Sequence, residues 1–349
     1  MFREDELLIL IGAGCSCDAG IPASKQMIGN LEGLIDNNHE WQEFFKIYNY
    51  VKSAVLYADG IAGKFSNNFD IERLVNVLGE LEKKENSIIY PFIGSWNPRL
   101  LEIAGHDLEI VNRFKRKILE QLKRWISLGN YGTADYYKRF FDLQADYNYS
   151  LRVFSLNYDL CFEKTAPQEG SLERGFDSSR VWDWRRFEPR DEYQPGIYLY
   201  KLHGSIDWER DFEQGDVLRW VENIPETPDL IFGTDYKMQY IDPFLFFAYE
   251  LRKYSLESKV ILTLGYSFRD EHINGILKQA LRNNITRKVI IVSPDAEDIK
   301  DEFQVTFPGV GSQLTTVLKT AKEFLDTLSE DFFANISDEV EETGEESSF

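Results

Sequence analysis

The stretch that most constrains this chain is an apolar run, Leu7-Leu8-Ile9-Leu10-Ile11, that ends in Gly12-Ala13-Gly14 and continues through small and polar residues to Ser24. A run with no polar face fits a strand covered on both sides, as in a parallel sheet. Paired glycines after it let the backbone turn tightly and come close to a ligand. The helix expected next would turn free amides toward that turn, which favours an anion such as a pyrophosphate. The following glycine is Gly20, not the third residue after Gly14. The run is therefore not the dinucleotide fingerprint G-x-G-x-x-G, and a dehydrogenase reading is weakened. Taken alone, these residues leave open a turn that binds nothing.

The 349 residues give room for one large domain, or for a core domain with a sizeable insertion. A formal charge of −20 opposes non-specific nucleic-acid binding, because phosphates would be repelled. No apolar run reaches the length of a membrane span, and Met1 to Glu6 does not read as a signal peptide. Two of the three cysteines, Cys15 and Cys17, sit in the glycine loop, which fits reduced packing thiols. A cytoplasmic location is the expectation.

From about 30 to 150 the chain reads as helical, with stripes such as Ile71, Leu74, Val75 and Leu78, and Ile110, Phe114, Ile118 and Leu122. Strand-like runs then return at 151–156, 197–202, 229–232, 260–264 and 289–292, with helical segments at 243–253 and 271–282. Apolar runs alternating with helices predict an α/β fold with a parallel sheet. The helical stretch reads as a module inserted after the first strand and helix. Residues 337–349 are acidic and polar and read as a disordered tail, leaving 1–336 as the domain.

Each strand run ends in polar or glycine residues: Gly12 to Ser16, Asn157 to Asp159, His203 to Ser205, Gly265 to Ser267, and Ser293 to Asp295. In a parallel sheet the carboxyl ends share one edge, where ligands bind. Turn chemistry alone explains any one cluster, so the weight lies in five of them coinciding.

The order Gly-Ala-Gly-x-Ser-x-x-x-Gly-Ile-Pro, then Asn157-Tyr158-Asp159, His203-Gly204 and Gly265-Tyr266-Ser267-Phe268-Arg269-Asp270, resembles the sirtuin superfamily. It is most similar to the bacterial sirtuin-like branch whose domain hydrolyses NAD in antiphage defence. The resemblance implies a Rossmann-like parallel sheet flanked by helices, with NAD as substrate. It implies Asn157 and His203 as the catalytic pair. It also implies NAD contacts from Gly12, Ala13, Gly14, Ser16, Gly20, Ile21, Pro22, Ser24, Asp159, Gly204, Gly265, Ser267, Asn274 and Ser293. The departures matter too. The chain has no C-x-x-C pair for a four-cysteine zinc module, so zinc is not expected. Gly-Ile-Pro continues as Ala23-Ser24-Lys25-Gln26 rather than Asp-Phe-Arg-Ser, which weakens deacetylation more than NAD binding. The resemblance further implies an NAD-depleting effector held off until triggered. Self-assembly into a homo-oligomer or a separate partner, such as a hexameric DNA-translocating ATPase, would supply the trigger.

The chemistry fits these residue types. Cleaving the nicotinamide–ribose bond develops oxocarbenium character at the sugar, and a nucleophile must reach the open face. A histidine titrates near neutrality and can take the proton. An asparagine can orient the water or the ribose hydroxyls. The alternatives are an ADP-ribosyl or deacylase transferase, and a sensor that binds NAD or a related nucleotide without turnover.

Overall fold

A computed structural model describes residues 3–63, 69–82, 98–105, 108–147, 149–168, 170–188, 194–213, 215–231, 241–328 and 332. The expected acidic tail lies outside the described residues, as do Phe232 and Gly233 at the end of one expected strand.

Seven strands form one sheet in the order β3-β4-β2-β1-β7-β8-β9. They are β1 (Leu7–Ile11), β2 (Leu151–Ser155), β3 (Leu172–Glu173), β4 (Ile197–Lys201), β7 (Val260–Leu264), β8 (Lys288–Val292) and β9 (Leu314–Val317). Every neighbouring pair in that sheet is parallel. A separate antiparallel hairpin joins β5 (Trp208–Asp211) to β6 (Val217–Trp220). The central strands β1, β2, β4 and β7 are buried along their whole length, which fits their mostly apolar sequences, with Arg152 and Lys201 as buried charged exceptions. The result is a Rossmann-like parallel sheet with helices between its strands.

Helices Phe244–Glu257, Glu271–Asn283 and Ala296–Thr306 provide crossovers around β7, β8 and β9. Ile273, Leu277, Ala280 and Leu281 recur at helical spacing and are the buried side of the second of these. Arg287, almost fully buried, donates from Nε to the Ser258 carbonyl at 2.6 Å and also to the Leu256 and Ala280 carbonyls. It thus satisfies carbonyls at the ends of two of these helices. Of the expected strand at 229–232, the described residues 229–231 show a single antiparallel bridge between Leu230 and Gly204.

The chain divides into two compact units, residues 1–21 with 128–349, and residues 22–127. The second is helical: Ser24–Asn37, Phe45–Ile61, Ile71–Glu82, Pro98–Ala104 and Glu109–Ile126. Within it, Phe44 stacks on Phe114 at 4.8 Å, and Val111, Ile118 and Leu122 line the same buried stripe. The 3-10 helix Tyr131–Tyr137 and the helix Lys138–Tyr147 belong to the sheet unit, although they continue the helical texture of the preceding sequence. Among the described residues, no helix is long and apolar enough to cross a membrane.

Candidate functional site

Because β4, β2, β1, β7 and β8 are adjacent and parallel, the five polar clusters that follow them share the carboxyl edge of the sheet. Ser155 pairs with Lys201, so Asn157 and His203 each stand two residues beyond a paired position on neighbouring strands. Strand spacing alone puts those chain ends on the order of 5 Å apart.

Asn157 is held by a proton-counted network. Ser16 Oγ donates its single hydrogen to Asp159 Oδ2 at 2.7 Å. Tyr137 lies 2.8 Å from the same hydroxyl and must therefore be the donor. Burial pushes the Tyr137 phenol well above its ordinary range, so it keeps that proton. The remaining lone pair of Ser16 accepts from Asn157 Nδ2 at 3.1 Å. With its amide nitrogen fixed in this way, Asn157 presents Oδ1, a buried acceptor with no hydrogen-bond partner among the described residues. Asp159 is tied in turn by the Cys161 amide, which donates to Oδ1 at 2.9 Å.

His203 is 5% exposed, and its ring lies 6.2 Å from that of Tyr158. Nε2 is 3.0 Å from Asp270 Oδ2, whereas Nδ1 is buried without a hydrogen-bond partner among the described residues. A buried acceptor left unpaired costs about 1–3 kcal/mol. Each of the two, on neighbouring strand ends, can receive an O–H hydrogen bond, such as one from a water or a sugar hydroxyl.

The glycines pack the loops before they offer anything to a ligand. The Gly12 and Gly14 amides donate to the carbonyls of Leu264 and Gly265 at 3.0 and 2.9 Å. A Cβ on Gly265 would lie 2.1 Å from the Cys15 nitrogen, and its φ of +61° is left-handed. Only bare backbone lets these two loops meet. Gly204 has φ +86° and sits against the Asp229 carbonyl. Gly20 ends the 3-10 helix Ala13–Ala19 at φ +100°, and Ile21 after it is buried.

Other expected contacts are spread along this edge. Ala13 opens the 3-10 helix, and Ser267 is exposed just past β7. Ser293 Oγ accepts the Asp295 amide at 3.3 Å. Asn274 is buried and braces the loop beside it, donating to the Phe268 carbonyl at 2.6 Å and accepting from Tyr266 at 2.8 Å. Pro22 and Ser24 fall in the helical unit, where Ser24 begins the first helix. Burial pushes the Cys15 thiol up to about 12, which fits a packing thiol and not a nucleophile. Asp18 accepts the Lys322 amide at 3.2 Å, so it serves the start of the helix Ala321–Asp326 rather than the helix that follows it. Among the described residues, no cluster of three or more His, Cys, Asp or Glu forms a metal site.

Asp270 was not among the expected site residues. Its position before a helix reads as a cap, and nothing in the sequence shows it reaching His203. A buried charge network also lies on this edge. Lys201 Nζ donates to the Asp159 carbonyl and pairs with Glu163 at 3.2 Å, and Arg174 forks onto Asp207 at 2.7 and 2.9 Å. These groups have no regular spacing that could have marked them.

Residues 151–307 match the family model of the SIR2-like domain. No curated protein matches the chain. Among solved structures it is similar to a Sir2 homologue in complex with NAD, at 13% identity over 96% of this chain and 90% of that one, with a TM-score of 0.43. It is also similar to a mutant Sir2 homologue with ADP-ribose, at 13% identity over 97% and 92%, with a TM-score of 0.42. With TM-scores below 0.5, these likenesses add no weight to the family match.

Proposed function

We propose that this chain, which carries a sirtuin-superfamily domain, is an NAD glycohydrolase that cleaves the nicotinamide–ribose bond to give nicotinamide and ADP-ribose. The observation that carries the reading is the pair of buried acceptors, Asn157 Oδ1 and His203 Nδ1, within the matched stretch. As the C–N bond breaks, its electrons leave with neutral nicotinamide and the ribose takes on oxocarbenium character. Asn157 Oδ1 accepts a hydrogen bond from the incoming water or from a ribose hydroxyl and so sets its direction. His203 Nδ1 takes the proton released when water adds.

Gly12, Ala13 and Gly14, with Gly20 and Ile21, are assigned to the pyrophosphate side. Gly204, Gly265, Ser267 and Ser293 are assigned to the riboses and adenine. Ser16, Asp159 and Asn274 act by holding their neighbours. In the cell, the reading is a defence effector that depletes NAD when triggered, through self-assembly or a partner ATPase.

Incubation of the purified protein with NAD, alone and with candidate partner proteins, followed by chromatography, tests the activity. Equal amounts of nicotinamide and ADP-ribose are expected. Binding of NAD that stays intact under every condition would replace the enzyme with a sensor. ADP-ribose found on an acceptor instead of free would replace the hydrolase with a transferase.

A further inference from the structure

We propose that Asp270 is a positioning residue that fixes His203 as the Nε2–H tautomer, so that Nδ1 is left as the acceptor at the site. The inference rests on the NAD-hydrolase reading for its catalytic consequence, but its structural core does not.

A carboxylate only accepts hydrogen bonds, so the 3.0 Å contact between Asp270 Oδ2 and His203 Nε2 requires a hydrogen on Nε2. In a neutral imidazole the other nitrogen then carries the lone pair. That nitrogen, Nδ1, is the one buried without a partner among the described residues. The orphaned acceptor and the carboxylate contact are two sides of one arrangement.

The contact is not a by-product of chain proximity. His203 follows β4 and Asp270 follows β7, and β2 and β1 lie between those strands. The loops after β4 and β7 together therefore span the ends of the two strands between them. The loop 265–270 is braced. Asn274 holds the Phe268 carbonyl, Tyr266 donates to Asn274, and Phe268 adopts φ +54°, a left-handed conformation that a bulky residue takes only under constraint. Rings of Tyr266 and Phe303 pack on Phe268 at 4.6 and 4.8 Å.

Asp270 also has a local task that separates fold from chemistry. Its Oδ1 accepts the His272 and Ile273 amides at 3.0 and 3.3 Å, capping the helix Glu271–Asn283. An asparagine caps a helix about as well as an aspartate. Asp270→Asn can therefore keep the cap while presenting an N–H to Nε2, which moves the ring hydrogen to Nδ1.

The test is long-range proton–nitrogen NMR of histidine-labelled protein without ligand, with His203 assigned by its loss in His203→Ala. Wild type is expected to show the Nε2–H pattern, and Asp270→Asn the Nδ1–H pattern with little change in Tm. Nicotinamide release by Asp270→Asn is expected to fall in kcat by roughly 10²–10⁴-fold, with the KM for NAD moved much less. Asp270→Ser, which caps but does not reach the ring, controls for folding and is expected to lose kcat similarly. An Nδ1–H pattern in wild type, or an unchanged tautomer in Asp270→Asn, overturns the proposal. So does an unchanged kcat in both variants. Wild type that cleaves no NAD while the tautomers behave as stated would count against the hydrolase reading alone.

Discussion

Ser16 shows how a single proton can set a site. Its hydroxyl gives that proton to Asp159, so it can only accept from Asn157, and the amide is held one way round. Ser16→Ala removes the acceptor for Asn157 Nδ2 and leaves Asp159 and Tyr137 each a bond short in a buried place. We expect a loss of about 1–3 kcal/mol in stability, read as a lowered Tm. NAD turnover should fall by roughly 10-fold or more in kcat as Asn157 loses its orientation. Turnover at the wild-type rate would mean that the network does not aim Asn157. At this scale the sequence was informative where chemistry coincides with position. Asn157 and His203 are singled out by the family resemblance, and each lies two residues beyond a buried strand. Asp270 is not, because its link to His203 spans 67 residues and leaves no local trace.

The two glycine-bearing loops after β1 and β7 behave as one element. Their backbones touch, and a methyl group at Gly265 would meet both a left-handed φ and the Cys15 nitrogen. Gly265→Ala should therefore destabilise by at least about 1–3 kcal/mol and reduce NAD binding as the loops separate. Gly29→Ala, where an added Cβ meets nothing within 4 Å, should leave Tm unchanged or slightly raised. Equal melting of the two variants would contradict the close-approach reading. The long buried strands are legible from their mostly apolar runs. β3 was too short to show a period, and β5 and β6 carry charged residues on a half-exposed hairpin. The run 229–232 is apolar enough for a strand, and among the described residues Leu230 forms a single bridge to Gly204.

At the scale of the whole molecule, the parallel order of the sheet converts separate loop motifs into one edge, and that much followed from the apolar runs and the helices between them. The division at residue 127 did not, because helical periodicity is the same on both sides of it. Stability should depend on the buried charges along the edge. Burial works to raise the Asp207 carboxyl, but Arg174 beside it outweighs that and holds it below the ordinary carboxylate range. The folded form thus binds this proton less readily than the unfolded chain. The associated stability is present above the ordinary range and is lost as pH falls through the depressed folded value. Tm should fall on acidification below pH about 4, and more gently in Asp207→Asn, which should already be less stable near neutrality. Parallel melting curves for the two proteins would remove Asp207 from that account.

The most direct test of the central claim compares wild type with Asn157→Ala and His203→Ala in two readouts, NAD-induced stabilisation and nicotinamide release. Saturating NAD, at about 100 times its Kd, raises stability by about 2.7 kcal/mol if it binds only the folded form. The account predicts that both variants still gain stability from NAD but release nicotinamide at a rate lower by at least roughly 10²-fold. Release at the wild-type rate by either variant would contradict the pairing of Asn157 and His203 as the groups that do the chemistry.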